Sequence, residues 1–294
     1  MDVVRGTGTW LESSSTYGDN STNTNGVLTS FDADGFTLTG GSTNANLCCE
    51  DGFTYASWNW LAGGTGSSNT DGTITSTVSA NPSAGFSIVS YTASGTDNDT
   101  VGHGLGVEPA FHIVKSRDSA RDWLVYTREI DGSLDFLRLN TTAAAANSSA
   151  NAPTSTVFSI YGADINTAGE DCIAYCFAEV EGYSKFGSWV GNLNADGPFI
   201  YTGFLPAFIM WKRNGVDGWV MKDSVRNTYN IVSTVLYANL SNAESSTQEV
   251  DFLSNGFKIR TNSGASNSLG DTYIYMAFAS NPFGGSGVNP ATTR

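Results

Sequence analysis

Three strings in this chain are spelled twice at a nearly constant distance. Nothing else restricts its fold as strongly, because a repeated string implies a repeated unit. Pro109-Ala-Phe-His-Ile-Val-Lys115 returns as Pro206-Ala-Phe-Ile-Met-Trp-Lys212, an offset of 97. Leu137-Arg-Leu-Asn140-Thr-Thr-Ala-Ala144 returns as Leu236-Tyr-Ala-Asn239-Leu-Ser-Asn-Ala243 at 99, and Ile173–Ala178 as Ile274–Ala279 at 101. Such a drift is what loops of changing length produce. A partial third copy stands first. Asp2-Val-Val-Arg5 resembles Asp223-Ser-Val-Arg226, and Gly35-Phe36 follows Arg5 at the distance at which Gly256-Phe257 follows Arg226. Tyr55-Ala-Ser-Trp-Asn-Trp60 takes the place of Cys172–Phe177 and Tyr273–Phe278. The 294 residues therefore divide into the C-terminal half of a unit (1–62), a Gly/Ser/Thr-rich linker (63–83), complete units over 84–183 and 184–284, and a polar tail (285–294).

Within a unit the apolar period is 2, the signature of strands. One face of Phe111–Lys115 carries Phe111, Ile113 and Lys115, and the matching face of the second copy carries Phe208, Met210 and Lys212. Six or seven such strands per unit, separated by Gly, Asn, Asp and Pro, predict an all-β fold of tandem antiparallel β-sandwiches. Charged residues make up only 14%, too few for the solvated faces of long helices. The one helix-friendly stretch, Thr141–Ala146, reads as a single turn with Asn140 bonding its own backbone. A half-unit with about three strands leaves a sheet edge unpaired and an apolar face uncovered. It can be a fragment of a longer polypeptide, be completed by a neighbouring subunit, or dock on the central repeat.

A formal charge of −14 excludes a phosphate-tracking nucleic-acid protein, which needs a basic stripe. No apolar run is long enough for a transmembrane helix, so membrane insertion is not expected, and the first twenty residues lack the pattern of a signal peptide. Cys48 and Cys49 are neighbours, while Cys172 and Cys176 lie about 13 Å apart if on one strand, so buried thiols are the expectation. Glu179 and Glu181 share a strand face, the spacing of a glycosidase pair, but Ser280 and Pro282 replace them in the next unit. A solvated strand end is the better reading. His103, in Gly102-His-Gly-Leu-Gly106, marks a tight turn and not a phosphate loop, and His112 a structural histidine. Asp32/Asp34, Asp97/Asp99 and Asn194/Asp196 are oxygen-rich loops without the spacing of a calcium-binding loop. No metal or cofactor is expected. Trp123 and Trp219 recur, as do Lys115 and Lys212. They are either core tryptophans with strand-end lysines or a carbohydrate platform on which an aromatic face stacks against a sugar.

Gly85-Phe-Ser-Ile-Val-Ser-Tyr91, the run Gly102–Lys115, Asp122-Trp-Leu-Val-Tyr126, the run Ile173–Gly191 and Gly203–Arg213 together resemble the repeat domain of tailed-phage virion proteins, frequent among marine and cyanobacterial phages. The resemblance covers about 84–283, and residues 1–62 resemble the end of a preceding unit in longer proteins of this kind. It implies a concanavalin A-like (jelly-roll) β-sandwich and a non-enzymatic tail-fibre or surface-appendage protein at the virion surface. It also implies homo-oligomerisation, other virion proteins as partners and a host surface glycan as receptor. A capsid decoration or head-fibre protein is the alternative, and a glycan-degrading enzyme a more distant one.

Overall fold

In the computed structural model, which describes residues 1–19, 26–33, 35–41 and 49–279, almost every element is a β-strand and every ladder is antiparallel. A hairpin of β1 (Val27–Phe31) and β2 (Phe36–Thr39) comes first. Ten strands follow: β3 (Ser67–Asn69), β4 (Ser76–Asn81), β5 (Phe86–Thr92), β6 (Thr100–Gly102), β7 (Phe111–Ser116), β8 (Leu124–Thr127), β9 (Asp135–Arg138), β10 (Ala146–Asn147), β11 (Val157–Ser159) and β12 (Asp171–Phe177). The last eight are β13 (Ser184–Val190), β14 (Phe199–Tyr201), β15 (Pro206–Arg213), β16 (Val220–Asp223), β17 (Val232–Tyr237), β18 (Ser245–Leu253), β19 (Gly256–Ile259) and β20 (Thr272–Ala279).

The repetition of letters is a repetition of topology. The run β9-β8-β7-β12-β5 in one sheet corresponds to β17-β16-β15-β20-β13 in the next, and the facing pair β11-β6 to β19-β14. Two differences stand out. The long β18 joins β17 to β19 and knits the two layers of the second unit together, whereas β10 has only two residues. In the first unit β4 and β3 extend the sheet beyond β5. Residues 63–83 are therefore not a linker: they supply both of these strands, and Ser76, Val78 and Ser79 are buried. Ladder pairing uses backbone groups, so a Ser/Thr-rich segment can cover an edge that an apolar-pattern search does not mark.

Each central sheet is buried on both faces, which explains its nearly continuous apolar strands. Val114, Tyr91, Cys172, Ala174 and Cys176 point into the first sandwich. Ile209, Trp211, Tyr273 and Tyr275 point into the second. The alternate residues, including Phe111, Ile113, Phe177, Phe208, Met210 and Phe278, meet in a third core common to both units and to the N-terminal segment.

That segment completes a pseudo-three-fold arrangement. The indole Nε1–H of Trp219 donates to the carbonyl of Arg138 in the preceding unit at 2.9 Å, and that of Trp123 donates to Glu12 at 2.9 Å. Ala145 N–H donates to Asn214 O at 2.7 Å, and Asp19 N–H to Arg117 O at 2.6 Å. In both cases the N-terminal partner sits 126 residues before its counterpart in the first complete unit. The ring closes where Ser13 Oγ donates to Ala238 O at 2.5 Å. On the axis, Trp60, Phe177 and Phe278 touch one another at centroid distances of 5.9, 5.4 and 6.1 Å. The half-unit thus docks on both complete repeats and not on the central one alone.

Two local expectations change. Residues 141–145 form no helical turn; they hydrogen-bond to the loop of the second unit, and Asn140 Oδ1 accepts from Trp123 N–H at 2.9 Å across the sheet, not from its own turn. Asn239 does the same for Trp219 at 2.9 Å. Tyr55–Trp60 joins no ladder although its letters alternate like those of β12 and β20, because the strands that flank β12 and β20 have no counterpart beside it among the described residues.

Candidate functional site

The residues singled out as a carbohydrate platform are inside the protein. Trp123 is 6% exposed and Trp219 1%, and both serve as fasteners between units. Lys115 and Lys212 are fully buried at the ends of β7 and β15, where each ammonium caps the carbonyls of the next loop. Lys115 Nζ donates to Ser116 O at 2.6 Å and Ser119 O at 3.3 Å. Lys212 Nζ donates to Gly215 O at 2.9 Å, Arg213 O at 3.1 Å and, across the unit boundary, Thr142 O at 3.5 Å. Burial lowers both to about 8, and a nearby carboxylate, Asp217 beside Lys212, only partly offsets it. Neither pair can reach a sugar, so the carbohydrate-platform reading is corrected for all four. Lys222, which the sequence did not single out, is buried alike and donates to Ser233 O and, at 2.6 Å, to Thr247 O; burial lowers it to about 7.

The other candidates are spread over the molecule. Glu179 and Glu181 are exposed, and Glu179 pairs with Lys185 at 2.7 Å. His103 is buried in its glycine turn, where Nδ1 accepts from Leu105 N–H at 3.2 Å and Nε2 lies 3.2 Å from Thr154 O. His112 stacks on Tyr126 at 4.7 Å, and burial lowers it to about 3, so it is neutral at ordinary pH. The oxygen-rich loops use their oxygens on themselves. Asp32 accepts from Ser30 and Thr37, Asp97 from Gly162 N–H, Asp99 from Ser94, and Asp196 pairs with Lys258. Among the described residues no three His, Cys, Asp or Glu side chains cluster as metal ligands. Cys172 and Cys176 are buried free thiols, raised to about 12 by burial, whereas Cys48, Asp34 and the tail 285–294 lie outside the described residues.

What the sequence did not disclose is a cleft of about 750 Å³ where the N-terminal unit meets the common core. The hairpin residues Phe31 and Phe36 line one side, and Ile113, Phe208, Met210 and Met276 the other. Leu11 and Trp58 stand at its flanks. Its one charged cluster is a built network. Asp2 Oδ1 accepts from Val4 and Arg5 N–H at 3.1 and 2.9 Å, and Asp2 Oδ2 accepts from Arg5 Nε at 2.6 Å and Tyr175 Oη at 2.7 Å. Arg5 reaches on to Asp19 at 2.7 Å. Burial pushes the Asp2 carboxyl up, but Arg5 and these hydrogen bonds outweigh it and hold it below its usual value. Asp223 and Arg226 repeat the motif with Val225 and Arg226 N–H at 3.0 and 2.8 Å and Arg226 Nε at 2.6 Å. The signal for the cleft was present in the sequence as the missing half of the first unit, but its position needed the three-fold packing.

A family described as a domain of unknown function (DUF7483) matches residues 1–282, and the chain belongs to it. No curated protein and no solved structure matches the chain.

Proposed function

We propose that this family member is a structural component of a bacteriophage virion, a tail-fibre or surface-appendage module that takes part in host attachment. On this reading it sits at the virion surface, associates with other virion proteins and with further copies of itself, and meets a host surface glycan without carrying out chemistry on it. The observation that supports the reading best is the shared core. Three repeat units are fastened to one another by buried indoles, a buried lysine and an axial aromatic triangle. The conspicuous aromatic and cationic side chains of the repeat are thus spent on rigidity, as suits a protein that bears load and displays loops.

With the repeated tryptophans inside, receptor contact falls to exposed aromatics. Phe199 and Tyr201 stand side by side on the outer face of β14, 46% and 64% exposed, the arrangement on which a pyranose ring can stack. Antibody labelling of intact particles, followed by adsorption assays with Fab fragments, tests the proposal. Label on the tail or its appendages with slowed adsorption is expected. Label on the capsid shell alone makes the chain a head-fibre or decoration protein, and particles without label remove the virion reading.

A further inference from the structure

The cleft stands where the symmetry of the molecule calls for a strand. In the complete units β7 and β15 run between β8 and β12 and between β16 and β20, and their alternate residues go to two different cores. Phe111 and Ile113, like Phe208 and Met210, enter the common core, while Val114, like Ile209 and Trp211, enters the sandwich of its own unit. The N-terminal unit has counterparts of the later strands: Asp2 matches the end of β16, Leu11–Glu12 match Leu137–Arg138, the β1–β2 hairpin matches β18–β19, and Tyr55–Trp60 match β20. It has none for β7 or β15. The empty volume is bounded by what such a strand would touch, with the hairpin on its sandwich side and Ile113, Phe208 and Met210 on its common-core side. The hairpin records the vacancy. Phe31 and Phe36 pair as Phe252 and Phe257 do, yet those two are fully buried, whereas Phe31 is 41% exposed. Trp58 and Trp60 hold to the common core by side-chain contacts with no ladder beneath them.

We infer that the cleft binds a β-hairpin of the repeat's own third and fourth strands. Its entering strand carries Phe-x-Met-x-Lys or Phe-x-Ile-x-Lys, and a polypeptide segment of this repeat type supplies it. The mode is strand addition, in which backbone pairing gives affinity and alternate side-chain pockets give specificity. A second copy of this chain is a poor donor, since its β7 and β15 each pair on both sides in a central sheet and would have to be withdrawn. The inference does not depend on where the protein resides.

The test adds the missing piece. Met1 lines the cleft, and Asp2 is the equivalent of Asp223. A copy of residues 206–222 is therefore joined directly before Asp2 of the full chain. A control carries the same copy with Phe208→Ser and Met210→Ser in it. The native fusion is expected to melt at least about 5 °C above the control, and tryptic cleavage within the added copy is expected to slow at least about tenfold. In trans, a peptide with the sequence of residues 206–213 carrying Trp211→Phe should shift the tryptophan emission of the unfused chain, a shift that Trp58→Phe with Trp60→Phe in the chain should diminish, and the same peptide with Phe208→Ser and Met210→Ser should cause none. Equal melting and equal cleavage of the two fusions, with no emission shift in trans, overturn the inference. So does stabilisation by a small apolar compound when the hairpin gives none, or closure of the cleft by dimerisation of the unfused chain.

Discussion

Trp219→Ala should loosen two units at once, and that makes it the sharpest test of the shared core. Trp219 is 1% exposed, its indole Nε1–H reaches Arg138 O at 2.9 Å in the neighbouring unit, and its backbone N–H is held by Asn239 at 2.9 Å. Truncating a buried tryptophan costs about 3–5 kcal/mol. Trp219→Phe keeps most of the ring but strands the Arg138 carbonyl, which costs about 1–3 kcal/mol. The alanine variant should therefore lower the melting temperature by on the order of 10 °C and the phenylalanine variant by a third to a half of that. Val250→Ala, which lies only in the second sandwich core, is the comparison. Hydrogen exchange locates the damage: with Trp219→Ala, amides in β8 and β9 of the first unit should lose protection along with those of the second, whereas Val250→Ala should leave the first unit unchanged. Wild-type melting of Trp219→Ala together with lost adsorption would refute the fastener role and restore a binding-face tryptophan.

Trp60→Ala should detach the N-terminal unit, because two of the three axial ring contacts involve it. Limited proteolysis should then cut first within residues 1–62 while the two complete units remain intact. The buried lysines set a pH dependence. Lys115 and Lys212 titrate at about 8 and Lys222 at about 7 in the fold, against about 10.4 for a free lysine. Between these values the unfolded chain binds more protons than the folded one, so their contribution to stability rises with pH through this window. Denaturant midpoints should climb between pH 7 and 9.5, and Lys222→Met should flatten the slope; a midpoint that falls over this range contradicts the burial. At the acid end the slope has the same sign, because there too the unfolded chain binds more protons than the folded one. Asp2 lies below its unfolded value, so its contribution is present above about pH 4 and lost as pH falls through the folded value, a loss that Asp2→Asn should remove. Glu179→Gln with Glu181→Gln should leave both stability and any sugar release from host polysaccharide unchanged, and a loss of sugar release in that variant would revive the glycosidase reading.

The strands that repeat in letters are those of the central sheets, and the reason is physical. A strand buried on both faces has no free position, so both copies of Pro-Ala-Phe keep their character, whereas loops drift by a few residues. Elements with one constrained side were not legible. β4 reads as a linker because Ser76, Thr77 and Ser79 lack an apolar run, although its backbone pairs with β5 from Thr77 to Asn81. Tyr55–Trp60 reads as a strand because its letters alternate, but strand character also needs a neighbour to pair with. The lysines were misread for a third reason. A lysine at a strand end is ordinarily solvated, and only the inward turn of the loop carbonyls after Lys115 and Lys212 makes a buried ammonium possible. The one available signal was that both lysines stand at the same repeat position before a short polar loop.

The interfaces around the axis also carry an internal covariation. Arg5 of the N-terminal unit meets Tyr175 at 3.1 Å, two residues before the axial Phe177. Arg226 of the last unit lies 5.7 Å from the ring centroid of Trp58, two residues before the axial Trp60. The middle unit breaks the pattern on both sides together. Its counterpart of Asp2 is Thr127, which still accepts from the N–H two residues on, at 3.2 Å, but its counterpart of the arginine is Ile130, and the residue two before Phe278 is Met276. Ile130 and Met276 both belong to the common core. Where a guanidinium enters, an aromatic ring or phenol receives it and an aspartate balances it; where the cation is gone, so are its acceptors. A buried charge without partners would cost several kcal/mol, so each of the three interfaces must change on both sides or on neither. The same rule bears on the open cleft. Arg5 there is already satisfied by Asp2, Asp19 and Tyr175, and the rest of the lining is mostly apolar beside Ser13, Asp32 and Asn59, which suits side chains such as Phe208 and Met210.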